Sequence, residues 1–143
     1  MKELLGSVGS WFYALLTSKV VILALGGAVG TNLRYWVGSR LGQFRAFPLG
    51  TFVINVSGSF ILGVLWFLFA RRLPPRYSDW YLLLGTGFCG GYTTFSTFEL
   101  ETFQLIQDRS LWMAMANILG SVIVGYAAVV AAVALAGLIL PRS

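Results

Sequence analysis

Residues 87–98 read GFCGGYTTFSTF, a glycine-rich start followed by a run of hydroxyl and aromatic residues. They lie within an uncharged run, residues 80–98, that is long enough to cross a bilayer. Poor helix formers occupy its middle: Gly87, Gly90, Gly91 and Thr93. Because hydrocarbon offers no partner to free backbone N–H and C=O groups, broken helix at membrane depth must be buried in protein or line a cavity. The stretch therefore predicts an interrupted membrane helix, which is typical of proteins that handle a small ion or solute.

The composition predicts a membrane protein. Of the 143 residues, 57% are hydrophobic and 10% are charged, and the mean hydropathy is +0.80. A soluble domain carries roughly 25% charged residues, so we expect a single multi-pass domain in the cell (plasma) membrane. The basic residues behind the net charge of +5 are scattered near the ends of the apolar runs. We interpret them as contacts to lipid head groups and as topology signals, and we expect no nucleic acid partner.

The polar residues give no support to an enzyme. The chain contains no histidine, which removes the commonest proton shuttle and the commonest metal ligand. It shows no nucleophile–base constellation either. Cys89 is the single cysteine, so the chain forms no intrachain disulfide and its redox compartment stays open.

Four stretches with few charges have about the length that a transmembrane helix needs. They are residues 20–41, 48–70, 79–104 and 111–140. Their connectors are short, so neighbouring spans run antiparallel. The predicted fold is an all-α membrane protein with four transmembrane helices per subunit, of which the third is broken. We divide the chain into an N-terminal extension expected to form an interfacial helix (1–19), a four-span domain (20–140) and a C-terminal tail (141–143).

Two further patterns concern topology and assembly. With the N-terminus inside, six basic residues lie on the inner side and three or four on the outer side. This weak positive-inside bias is compatible with insertion in both orientations or with ordinary insertion in one. Gly26 with Gly30, and Ser121 with Gly125, are small-residue pairs that suit close helix packing. Four short spans cannot enclose a hydrophilic path without exposing it to lipid, so we expect an oligomer.

Several polar residues within the spans need a partner or a function. Asn55 either bonds a neighbouring helix or offers N–H donors to an anion. Asn117 and Ser121 lie four apart on the fourth span and form either a polar track or a packing seam. Arg34 either attracts anions at a vestibule or extends its guanidinium group to the membrane–water interface. Glu101 either has a structural role or pairs with an arginine at the mouth of the ion path.

The second half of the broken helix opens on hydroxyl and aromatic residues. Phe95 and Phe98 are three apart and share a face, so they either pack or turn their partly positive ring edges toward an anion. The N-terminus of this half-helix adds unpaired N–H groups, and the carbonyl oxygens before it, near residues 90–93, suit a hard cation such as Na⁺. Ser96 and Glu99 have the spacing of a capping box.

These residues resemble a known family. GFCGGYTTFSTF followed by Glu101 is similar to the signature of the Fluc (CrcB) fluoride channels, which export fluoride from microbial cytoplasm. Two further motifs agree in order and spacing: GGAVG at 26–30 with Arg34 and Tyr35, and Gly50-Thr51 with Asn55, Gly58, Phe60 and Gly63. The resemblance covers about residues 26–125.

The resemblance implies a passive, fluoride-selective channel that lowers cytoplasmic fluoride. The implied assembly is an antiparallel dual-topology homodimer in the lipid membrane, with two fluoride pores and a central structural sodium ion. The implied fluoride path consists of Asn55, Phe95, Phe98 and Ser121, with Asn117, Thr97 and Arg34 as further candidates. The implied Na⁺ ligands are the backbone carbonyls of Gly90 and Thr93.

The alternative is a proton-coupled small-solute exporter of the small multidrug resistance type, which also has four spans and an antiparallel arrangement. Its chemistry needs a titratable carboxylate in the first span, and residues 20–41 contain none. Glu99 and Glu101 are the membrane-adjacent carboxylates further along the chain. A packing subunit without transport would not need the break, so we prefer the channel.

Overall fold

The computed structural model describes residues 18–44 and 46–140. All regular elements in these ranges are helical. Of the predicted N-terminal extension (1–19), residues 1–17 lie outside the described residues, as does the predicted C-terminal tail (141–143). Ser18 and Lys19 are the N-cap and the first residue of the first long helix.

Three long helices and one composite segment make up this part of the chain. Helices α1 (Lys19–Leu41), α2 (Leu49–Arg71) and α6 (Leu111–Ile139) are each long and apolar enough to cross a membrane. A 3₁₀ turn at Pro75–Tyr77 leads into the composite third segment. Its parts are α3 (Ser78–Tyr81), a π-helix (Leu82–Cys89), α4 (Gly90–Tyr92) and α5 (Phe95–Gln107). The prediction of an all-helical membrane protein with four helical segments is confirmed.

The connection between α1 and α2 is short because glycine ends the first helix. Gly42 has φ +52°, and its N–H donates to the Gly38 carbonyl at 2.8 Å. Glycine adopts this left-handed backbone without a steric penalty. Its own carbonyl then accepts from the Gly50 N–H at 2.9 Å, at the start of α2. The two helices are therefore held together at this end as an antiparallel pair.

The glycines of α1 pack against the third segment. Gly26 and Gly30 are buried, and a Cβ atom on Gly26 would fall far inside contact distance of the Leu83 carbonyl oxygen. From the other side, a Cβ on Gly87 would lie 3.1 Å from the Gly26 Cα. The two backbones approach each other so closely that only hydrogen fits between them. The packing seam predicted from Gly26 and Gly30 is confirmed.

The regular helix stops at two threonines. Thr93 (φ −79°, ψ 160°) and Thr94 (φ −150°, ψ 114°) are extended, and helical backbone resumes at Phe95. The glycines that the sequence analysis placed in the break are all helical: Gly87 lies in the π-helix, and Gly90 and Gly91 lie in α4. At Gly87 and Gly91 the reason is packing, since the hydrogen in place of a side chain lets the third segment approach α1.

Helix α6 packs against α2 along small residues. A Cβ on Gly63 would lie 2.9 Å from the Ala132 Cβ, and a Cβ on Gly125 would lie 3.7 Å from the Ser59 Oγ. At the far end of α2, the Arg72 guanidinium donates to the Leu140 carbonyl after the last turn of α6. Helix α6 therefore lies beside α2, and α5 also packs against α6.

Candidate functional site

The interruption at Thr93 and Thr94 is held by an asparagine of α2. Asn55 Nδ2 donates to the Thr94 carbonyl at 3.1 Å, and the Thr94 N–H donates to Asn55 Oδ1 at 2.8 Å. The side-chain amide therefore takes the place of the helical partners that this residue lacks. The interhelical role that the sequence analysis considered for Asn55 is present in the structure.

Thr94 is also the N-cap of α5. Its Oγ1 accepts from the Thr97 N–H at 3.3 Å and lies 2.9 Å from Thr97 Oγ1. The capping box predicted from Ser96 and Glu99 is wrong, because the helix begins one residue before Ser96. Thr94 occupies the cap because its extended backbone places the hydroxyl over the first turn.

A cavity of about 580 Å³ opens beside this interruption. It brings together four residues of the predicted fluoride path: Asn55, Phe95, Phe98 and Ser121. The rings of Phe95 and Phe98 have centroids 5.8 Å apart and are tilted by 41°. Phe98 is buried at 7% exposure, whereas Phe95 is 74% exposed in the single chain. The lining residues carry no formal charge, so the polar groups of this first cavity are neutral donors and acceptors.

A second cavity, of about 350 Å³, adjoins the first and shares with it the lining residue Thr94. It contains two of the three further candidates, Arg34 and Thr97. Arg34 Nη1 lies 3.4 Å from the Thr93 carbonyl oxygen, so this guanidinium reaches the interruption from α1. The structure thus places six of the seven predicted path residues in two adjoining cavities.

Glu101 in the second cavity bonds a threonine. Thr51 Oγ1 donates to Glu101 Oε1 at 2.9 Å, and Oε2 is buried without a hydrogen-bond partner among the described residues. This pairing was not predicted from the sequence. A signal was available, because Thr51 precedes Asn55 by four residues, so the two project from one face of α2.

Asn117 lies apart from both cavities. It is fully buried, at 0% exposure, and it is not among the residues that line either one. Its Nδ2 donates to Thr102 Oγ1 at 2.9 Å, and its Oδ1 accepts from Ser121 Oγ at 3.4 Å. The structure therefore connects Asn117 to Ser121, which lines the first cavity, but buries the asparagine behind it.

The two carbonyls predicted to bind Na⁺ belong to Gly90, the first residue of α4, and to Thr93, which directly follows its last residue. The Thr94 N–H, which would be the α-helical donor to the Gly90 carbonyl, donates to Asn55 instead. The space beside Gly90 is open, since a Cβ there would meet nothing within 4 Å. Both residues line the first cavity. Among the described residues no cluster of three or more His, Cys, Asp or Glu side chains forms an alternative metal site.

Comparison with known proteins gives a consistent result. The family model described as "CrcB-like protein, Camphor Resistance (CrcB)" matches residues 21–133. A protein of Solibacter usitatus named fluoride-specific ion channel FluC is 48% identical over 115 residues, which cover 78% of this chain and 92% of that protein. Proteins of the same name from Oceanobacillus iheyensis and Pyrococcus horikoshii are 44% and 38% identical, over 75% and 76% of this chain and 82% and 89% of their own lengths. The matched region contains both cavities and overlaps all four helical segments. The chain belongs to the CrcB family of multi-pass membrane proteins.

Proposed function

We propose that this chain is a passive, fluoride-selective ion channel that lowers cytoplasmic fluoride. The observation that carries the proposal is its similarity, at 38–48% identity over most of their length, to proteins named fluoride-specific ion channel. The chemistry of the first cavity supports it, because the lining offers neutral donors and aromatic edges. Fluoride is small and strongly hydrated, so a path must replace its water with such groups and still let the ion leave.

The path that we propose runs through the first cavity. Asn55 uses one Nδ2 proton on the Thr94 carbonyl and has a second for an anion. Ser121 adds a hydroxyl from α6, and Phe95 and Phe98 add ring edges. Arg34 and Thr97 in the second cavity would attract the anion toward this path.

The working unit that we propose is an antiparallel dual-topology homodimer with two pores. The first cavity is open along one side of the single chain, and Phe95, at its edge, is 74% exposed. A second copy would close the cavity to lipid, which a single chain cannot do with its own residues. The weak charge bias of the sequence is compatible with insertion of the two copies in opposite orientations.

The proposed dimer includes a structural sodium ion held by the carbonyls of Gly90 and Thr93. The residues present fit such an ion, because carbonyl oxygens are hard, neutral ligands and the Gly90 oxygen is not bonded by the Thr94 amide. One chain supplies two such oxygens, so a shared site would need both copies. Arg34, which lies 3.4 Å from the Thr93 oxygen, would have to give up that contact. When bound, the ion would supply positive charge that holds these oxygens together.

Fluoride efflux from proteoliposomes tests the function. We expect purified protein to release fluoride far faster than chloride, and an imposed pH gradient to drive no accumulation. A proton-coupled exporter would instead move fluoride uphill under a pH gradient alone. That result, or equal rates for chloride and fluoride, would contradict the proposal.

A further inference from the structure

Helix α5, which carries both phenylalanines of the first cavity, is tied to α6 by a buried hydrogen bond. Asn117 of α6 donates from Nδ2 to Thr102 Oγ1 of α5 at 2.9 Å. Both residues are buried, with Asn117 at 0% exposure. An amide enclosed in this way is a strong constraint, because leaving it without a partner in an apolar interior costs free energy.

The direction of these hydrogen bonds follows from the chemistry of the groups. Thr102 Oγ1 lies 2.8 Å from the Phe98 carbonyl oxygen, which can only accept. The single hydroxyl proton of Thr102 therefore points to Phe98, and the hydroxyl oxygen must accept from Asn117. The Asn117 Oδ1 is left facing the Ser121 hydroxyl, 3.4 Å away. A chain of hydrogen bonds thus runs from Ser121 through two buried side chains to the backbone of Phe98.

The two ends of this chain line the first cavity, whereas Asn117 and Thr102 do not. Phe98 and Thr102 are four residues apart, so they lie one above the other on the same face of α5. A contact that fixes Thr102 against α6 therefore also fixes the orientation of the α5 face from which the Phe98 side chain projects.

We propose that Asn117 is a positioning residue, which sets the rotation of α5 against α6 through Thr102 and does not contact the permeating ion. The inference rests on the proposed fluoride path through the first cavity. It assigns to the fully buried asparagine a role different from that of Ser121, which lies one helical turn further along α6.

A double-mutant cycle in the fluoride efflux assay tests the proposal. We expect Asn117→Leu and Thr102→Val each to lower fluoride flux roughly three- to twentyfold, the range that corresponds to one interhelical hydrogen bond in a membrane. Because both remove the same contact, the double variant should be no slower than the slower single variant. Thr102→Ser keeps the hydroxyl, so we expect this variant to retain most of the wild-type flux, unlike Thr102→Val. Multiplied effects in the double variant, or wild-type flux in Asn117→Leu, would overturn the proposal.

Asn32→Leu is the matched control for these variants. Asn32 is exposed on α1, and its Nδ2 donates within its own helix, to the Ala28 carbonyl at 2.8 Å. We expect wild-type flux from this variant. Size-exclusion chromatography must show that every variant assembles as the wild type does, so that a loss of flux is not a loss of protein.

Thiol labelling tests the position of Asn117 without any fluoride measurement. Asn117→Cys and Ser121→Cys are treated with a small water-soluble thiol reagent, and the wild type reports the background from the buried Cys89. We expect labelling at position 121 and only background at position 117. Faster labelling at 117 than at 121 would place the asparagine on an aqueous path and overturn the proposal. If the wild type passed no fluoride, the proposed function would fail, whereas the labelling result would still stand.

Discussion

The side-chain amide of Asn55 bonds both backbone groups of Thr94, with Oδ1 2.8 Å from the Thr94 nitrogen and Nδ2 3.1 Å from the Thr94 carbonyl oxygen. These two hydrogen bonds satisfy the N–H and C=O groups of Thr94 at the point where helical hydrogen bonding stops. It also fixes the amide plane, so the remaining Nδ2 proton has a defined direction. Asn55 and Thr94 both line the first cavity. One side chain can therefore stabilise the interruption and present a donor beside it.

Asn55→Asp tests the donor role of this amide. The carboxylate still accepts from the Thr94 N–H, but it cannot donate to the Thr94 carbonyl and it repels an anion. We expect fluoride flux to fall at least tenfold, since a hydrogen bond to a charged group contributes about 1.5–3 kcal/mol. Proteoliposome efflux measures the change, with size-exclusion chromatography as the check on assembly. Wild-type flux from an assembled Asn55→Asp protein would remove Asn55 from the fluoride path.

Phe98→Ile tests whether the aromatic ring acts on the ion or only fills space. Isoleucine keeps an apolar side chain, so we expect a loss of less than about 1.5 kcal/mol in the free energy of unfolding. Ring edges carry partial positive charge that isoleucine lacks, and we expect flux to fall by about tenfold. Phe103→Ile is the matched control, because Phe103 is an exposed phenylalanine on the same helix. Equal flux from the two variants would return Phe98 to a packing role.

The helical segments could be predicted from the sequence, because their length and lack of charge are local properties of the chain. The partners of the polar residues could not. Asn55 and Thr94 are 39 residues apart, and no local pattern identifies the Thr94 backbone as the partner of the amide. The break was predicted to include glycines that are helical in the structure. Glycine occurs both where a helix ends and where two helices come into close contact, as Gly87 and Gly26 do. Its low helix propensity is the same in both settings, so propensity alone does not distinguish them.

Gly26→Ala tests the close contact between α1 and the third segment. Alanine is the better helix former by about 1 kcal/mol, so local propensity alone predicts a more stable protein. A Cβ at this position would instead overlap the Leu83 carbonyl oxygen and lie 2.9 Å from the Phe88 nitrogen. We expect a net loss of about 1–3 kcal/mol, measured as a lower unfolding midpoint in detergent. Gly120→Ala is the control, because its Cβ would meet only the Phe52 ring, at 3.7 Å. A midpoint unchanged by Gly26→Ala would contradict the packing described for α1.

Sodium should stabilise the assembled protein. A metal that binds the folded dimer and not the unfolded chain stabilises it by mass action, by about 2.7 kcal/mol when its concentration is one hundred times Kd. We therefore expect the unfolding midpoint to rise with sodium concentration. Potassium chloride at the same ionic strength should give a smaller rise, because charge screening is then equal and only the ion size differs.

The proposed ligands are main-chain oxygens of Gly90 and Thr93, and this sets the geometry of the site. Four carbonyls from two chains can converge only if the interrupted segments cross near a two-fold axis, which for antiparallel copies lies in the membrane plane. Carboxylates should then contribute little, so Glu99→Gln, at an exposed position on α5, should keep the sodium dependence. An experimental structure at high resolution should show the ion between two inverted copies. Parallel subunits, or a sodium effect that disappears in Glu99→Gln, would contradict this arrangement, since neither is compatible with a site built from backbone oxygens on such an axis.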